Sequence, residues 1–269
     1  MKTQRLTRNR IIGGTYARPN EFPWMVSIQS RRTMQKLDSK IILSRNPNLG
    51  WIHTYICGGA ILNSLWVITA GHCVGPKSGA PRHNPDNVMV VAGEHTLSTE
   101  SETRLTRRFG VERIVLPTGT YTDSTGDLAL LKVTQEIPVN IYTPICLPPP
   151  GLNIFKGRRV IVTGWGSVRE GPPLSDTLKV SHEHVVDVKF CKHPNQKNVE
   201  EGKLFCFDGE GQEKIASGDS GSPIISMDRG RYYENEIFLK LYCYEFSLLC
   251  HVGGHRSRPR LEALGLYYN

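Results

Sequence analysis

An all-β fold, a sandwich or a barrel, is what this sequence predicts, on three observations. Short apolar and β-branched runs recur along the chain, each bounded by turn-forming residues. No 3.6-residue apolar period persists long enough to specify a helix. Gly and Pro are plentiful, 26 and 17 of 269 residues, where average usage is about 7% and 5%. The runs fall at residues 24–29, 56–62, 65–70, 88–92, 128–133, 160–163 and 177–188. Pro/Gly/Asn clusters at 75–85, 147–151 and 171–173 separate them. Residues 30–49 are polar and basic (Arg31, Arg32, Lys36, Lys40, Arg45) and read as a long surface loop with an apolar patch at 41–43. Pro148, Pro149, Pro150 and Gly151 mark an internal boundary near the midpoint, and no sequence repeat is evident across it.

Composition excludes several classes. The chain carries 33 Lys and Arg against 25 Asp and Glu, a formal charge of +8 with an ordinary 22% of charged residues. That is a basic surface, yet no motif beyond charge points to nucleic acid. No stretch reaches the roughly 18 apolar residues of a membrane-spanning helix. Seven cysteines, none in a CxxC pair, argue against zinc ribbons and for an oxidising, extracellular setting. Residues 1–10 contain no apolar segment of the kind a secretory leader needs. They are expected to be a propeptide remnant within a longer secreted precursor, the alternatives being a fragment or a variant transcript.

Three local motifs carry chemistry, in the order His, Asp, Ser. Thr69-Ala70-Gly71-His72-Cys73 follows an apolar run, Gly126-Asp127-Leu128-Ala129-Leu130-Leu131 opens another, and Ser217-Gly218-Asp219-Ser220-Gly221-Ser222-Pro223 lies late in the chain. A serine hydroxyl is a poor nucleophile until a positioned imidazole takes its proton. The imidazole needs a buried carboxylate to fix its tautomer and stabilise the imidazolium. Glycines beside the serine let the backbone turn and present N–H groups to a developing oxyanion. Singly, each motif reads as an ordinary loop or strand end; together they point to acyl transfer.

With these motifs the chain resembles the trypsin/chymotrypsin family of serine endopeptidases. The resemblance begins at Arg10-Ile11-Ile12-Gly13-Gly14 and Phe22-Pro23-Trp24 and runs through Cys57-Gly58-Gly59-Ala60 and the His72 and Asp127 motifs. It continues in Ile145-Cys146-Leu147-Pro148 and Gly164-Trp165-Gly166 and ends near Ile225, after Gly218-Asp219-Ser220-Gly221. It implies two packed antiparallel Greek-key β-barrels over residues 11–226, about 11–147 and 152–226. His72 is then the general base, Asp127 its orienting partner and Ser220 the nucleophile, with the Gly218 and Ser220 amides as the oxyanion hole. Cutting after Arg10 would free an Ile11 α-amine to pair with Asp219. Cys57 would bridge Cys73 and Cys191 would bridge Cys206, while Cys146 matches a cysteine that in many members tethers the propeptide. Lys214, six residues before Ser220, stands at the base of the specificity pocket, where trypsin-like members have Asp. No cofactor and no metal are implied. The implied partners are protein or peptide substrates and protein protease inhibitors.

The departures cluster late. Ala216, Val160 and Ser226 stand where the family usually has cysteines, and Ser222 replaces a usual glycine. Residues 227–269 lack the family's Ser-Trp-Gly strand, its Pro-Gly-Val-Tyr segment and its final helix. They are expected to form a divergent tail that leaves the second barrel incomplete and removes one wall of the cleft. The alternative to an active endopeptidase is therefore a protease-like binding or decoy domain, or a truncated splice product. Glu94-His95 resembles the start of a calcium loop in some relatives, but Arg104 replaces the later acidic residue, so a solvated loop is expected. His182 and His184 are expected to be exposed strand residues rather than metal ligands. The Arg31/Arg32/Lys36/Lys40 and Arg104/Arg107/Arg108 clusters could attract polyanions, and solvated loops are the commoner outcome for such charge.

Overall fold

The computed structural model describes residues 14–33, 51–75, 83–99, 104–117, 127–147, 159–167, 173–186, 206–209, 217–228 and 231–237. After a two-residue strand β1 (Thr15–Tyr16) come β2 (Met25–Thr33), β3 (Trp51–Ile61) and β4 (Trp66–Ala70). Then follow β5 (Val88–Ala92), β6 (Arg107–Val115) and β7 (Leu128–Val133). Strands β2 to β7 close into a barrel in the order β2-β3-β4-β7-β6-β5, with the neighbours antiparallel. Closure removes free edges, and one face of each strand fills the interior. Val26, Ile28, Ile61, Val67, Val90 and Leu131, which the pairing places on that one face, have no exposure. Burying a side chain of valine or leucine size contributes about 1.5–3 kcal/mol.

β6 shows how the chain sets a register. Phe109 and Val111 point inward, two residues apart as a regular strand requires, yet the next buried residue is Ile114. Arg113 would be next by strict alternation, but the pairing with β7 is irregular between Val111 and Arg113. One extra residue at such an irregularity turns every later side chain to the opposite face. Glu112 and Arg113 are both exposed as a result, and Lys132 Nζ donates to Glu112 at 2.9 Å. Arg107 and Arg108 are exposed, as expected, but they open β6 opposite Ala92 and Val91 instead of lying in a loop. Residues 30–33 likewise belong to β2 rather than to a loop, and residues 34–50 lie outside the described residues.

The second unit joins β1 to β8 (Arg159–Gly164), β9 (Lys179–Val186), β10 (Cys206–Gly209), β11 (Pro223–Asp228) and β12 (Arg231–Ile237). Among the described residues they form a six-stranded antiparallel sheet, β1-β9-β8-β11-β12, with β10 also on β9, rather than a closed ring. A closed barrel followed by a second β unit is what the resemblance implies, except that among the described residues the second unit is an open sheet. One difference from expectation is β12. It lies inside the segment expected to diverge from the family, yet it pairs with β11 from Asp228 opposite Arg231 to Pro223 opposite Ile237. β11 is therefore flanked on both sides, by β8 and β12. β12 escapes a sequence window because Arg231-Tyr232-Tyr233-Glu234-Asn235-Glu236 is mostly polar and aromatic. Residues 238–269 lie outside the described residues.

Candidate active site

The pairing of β4 with β7 creates the first half of the site. Ala70 lies opposite Leu128, so the residue before β7, Asp127, meets the single helical turn that follows β4, Gly71–Val74. Asp127 is buried and uses both oxygens on His72. One accepts the His72 backbone N–H at 2.5 Å, and the other lies 2.6 Å from Nδ1. A carboxylate there selects the tautomer with hydrogen on Nδ1 and leaves Nε2 as an acceptor. Cys73 forms the expected bridge with Cys57, tying this turn to β3. Closing such a loop contributes on the order of 3 kcal/mol in the chain-entropy account. Cys57, His72 and Cys73 bring their donor atoms within 4.8 Å of one another, but the bridge occupies both sulfurs.

The second half is the turn before β11. Ser220 is buried, and its carbonyl accepts the Gly58 N–H from β3 at 2.8 Å. Gly218 and Gly221, on either side, have φ of 102° and 80°, left-handed values that favour glycine. Gly58 permits the close approach, because a Cβ there would strike the Ser222 side chain. Thr69, which precedes His72 by three residues, donates from Oγ1 to the Gly58 carbonyl at 2.8 Å. Strand β3 thus touches both the histidine and the serine segments.

Two residues that sequence reasoning missed hold the Ser217–Ser220 turn. Ser167 donates to the Ser217 carbonyl from its backbone N–H at 2.8 Å and from Oγ at 3.0 Å. Since C=O and N–H of one trans peptide point in opposite directions, this aims the Gly218 N–H away from Ser167. Tyr55 then donates its hydroxyl to the Gly218 carbonyl at 2.7 Å, fixing the next peptide plane. Its ring packs edge-on against the fully buried Trp165, 5.7 Å between centroids. Burial, and secondarily the Asp219 charge, raise the Tyr55 phenol well above its ordinary pKa, so it stays a donor. In the sequence Tyr55 is one more strand aromatic, 163 positions from its partner.

Asp219 is buried and accepts the Gly166 N–H at 2.7 Å. Arg10, Ile11, Lys214, Cys191 and Ala216 lie outside the described residues, and Cys206 is the first residue of β10. Val160 and Ser226 are both buried on the adjacent strands β8 and β11. Glu94 corrects the solvated-loop expectation: it is buried and accepts from Gln29 Nε2 at 3.3 Å. His182 is partly buried and His184 exposed on β9. No described helix is long and apolar enough to cross a membrane.

Comparison with known proteins agrees with this geometry. Residues 11–236 match the Trypsin family, a match that runs through most of β12. The chain is 30% identical over 231 residues to chymotrypsin-like elastase family member 1 of Felis catus, covering 84% of this chain and 77% of that protein. It is 31% identical over 234 residues to the Canis lupus familiaris protein of the same name, covering 84% and 79%. Against tryptase of Mus musculus it is 28% identical over 232 residues, covering 82% and 75%. The chain belongs to the trypsin/chymotrypsin-like family of serine proteases.

Proposed function

We propose that this protein is a secreted endopeptidase that hydrolyses peptide bonds through His72, Asp127 and Ser220 and is activated by cutting after Arg10. The observation that carries the reading is the double engagement of His72 by Asp127 at 2.5 and 2.6 Å. Ser220 Oγ attacks the substrate carbonyl while His72 Nε2 takes its proton. The Gly218 and Ser220 amides receive the oxyanion. The tetrahedral intermediate collapses as His72 returns the proton to the leaving amine. His72 then activates a water that hydrolyses the acyl-enzyme and frees Ser220. Protein protease inhibitors would occupy the same cleft, and the exposed Arg104, Arg107 and Arg108 would draw polyanions.

Activation follows from charge. An Ile11 α-amine freed by cutting would bring a positive charge to Asp219, whose position sets the Gly218–Ser220 turn. A buried charge is tolerated only with a partner. Hydrolysis of casein should therefore rise by about ten-fold or more when the chain is cut after Arg10, a population shift of the turn. Equal hydrolysis before and after cutting contradicts the switch.

Lys214 governs substrate choice. A positive charge at the base of the pocket repels a basic side chain and attracts a carboxylate, unless the flexible stem carries the ammonium out to solvent. In a peptide-library digest, cleavage after Asp or Glu should exceed cleavage after Arg or Lys by about ten-fold, or about 1.4 kcal/mol. Dominant cleavage after Arg or Lys, absent from Ser220→Ala, would mean that Lys214 does not line the pocket.

A further inference from the structure

Lys179 is the most deeply buried charged side chain among the described residues, with no exposure, and its Nζ has no hydrogen-bond partner among them. A buried ammonium needs compensation. The Tyr16 ring, on β1 directly opposite, supplies part of it, with Nζ 5.2 Å from the ring centroid. Glu183, further along β9, takes the Ser181 hydroxyl at 2.5 Å.

The other side of Lys179 leads to Asp219. Lys179 pairs with Gly164 across β8 and β9, and paired residues project to the same face of a sheet. Where Gly164 would carry a Cβ, the Asp219 carboxylate occupies the space, and Ser222 Oγ would lie 3.3 Å from that Cβ. Glycine thus leaves the route between the lysine and the carboxylate free of a side chain. Burial lowers the Lys179 pKa to about 8 while the Asp219 charge acts in the opposite direction, so the ammonium form dominates at neutral pH.

We propose that Lys179 is a resident counter-charge for Asp219, holding the Gly218–Ser220 turn in its working shape for part of the time in the uncut chain. This rests on the reading that Asp219 takes the Ile11 α-amine after cutting. It makes Lys179 a positioning residue and the uncut chain a slow peptidase.

The test is the rate at which a serine-directed phosphonate labels Ser220 in the full chain made uncuttable by Arg10→Gln. That chain should label about ten-fold more slowly than cut protein, and adding Lys179→Met should slow it by about ten-fold again. Lys179→Arg in the same background should stay within about three-fold, since it keeps the charge. In the cut chain, Lys179→Met should cost less than about three-fold, because the α-amine then supplies the charge. Equal labelling with and without Lys179→Met in the uncut chain overturns the proposal. So does a loss of the same size in cut and uncut chains, which would make the lysine merely structural. Absence of labelling in the uncut chain alone overturns it while leaving activation by cutting intact. Absence of labelling in every form, cut protein included, overturns the Ser220 assignment beneath it as well.

Discussion

Asp127→Asn should lower kcat for peptide hydrolysis by about 10⁴-fold, the scale established for the serine-protease triad. The cause lies in the bond from His72 Nδ1 to Asp127. A carboxylate can only accept, so it requires the hydrogen on Nδ1. An amide can donate, and it then favours the tautomer with hydrogen on Nε2, which cannot take the proton of Ser220. The fold should survive, because the remaining amide oxygen still accepts the His72 backbone N–H. Steady-state kinetics of the cut chain, with thermal melting as control, checks this. A fall of less than about ten-fold would remove Asp127 from the mechanism.

Tyr55→Phe should lower kcat by about 3- to 10-fold and leave KM within about two-fold. Removing an oxyanion donor outright costs about 10²–10³, and here the proposed Gly218 donor stays while the peptide plane that follows it is held less firmly. The lost bond from Tyr55 Oη to the Gly218 carbonyl is worth about 0.5–1.5 kcal/mol. Packing against Trp165 is retained. The split between kcat and KM distinguishes this role from general destabilisation, which would lower the melting temperature instead. A KM effect with kcat unchanged would assign Tyr55 to substrate binding.

The first barrel is largely legible in the sequence. β5 and β7 match the predicted runs 88–92 and 128–133, because their apolar residues are continuous and turn-forming residues bound them. β6 is not legible. Two arginines open it, Gly110 sits inside it, and the irregularity at residues 111–113 breaks the two-residue alternation that a sequence window detects. β11 is hidden because Pro223-Ile224-Ile225 reads as the end of the serine motif rather than as a strand. The chemical residues stand out because each sits in a local motif. Tyr55, Ser167 and Lys179 sit in none, and their roles arise from contacts between distant segments. Lys179 illustrates this most clearly: a lysine on a strand reads as a surface charge, and only the pairing with Gly164 puts it on the sheet face over which the Asp219 carboxylate lies.

All of the proposed chemistry depends on Ser220 as the nucleophile and His72 as its base. Labelling the cut chain with a serine-directed phosphonate and locating the adduct by peptide mass spectrometry tests both directly. One adduct is expected, on Ser220, absent from Ser220→Ala and slowed by about 10³-fold or more in His72→Ala. An adduct on another residue, or equal labelling of the Ser220→Ala protein, would contradict the assignment.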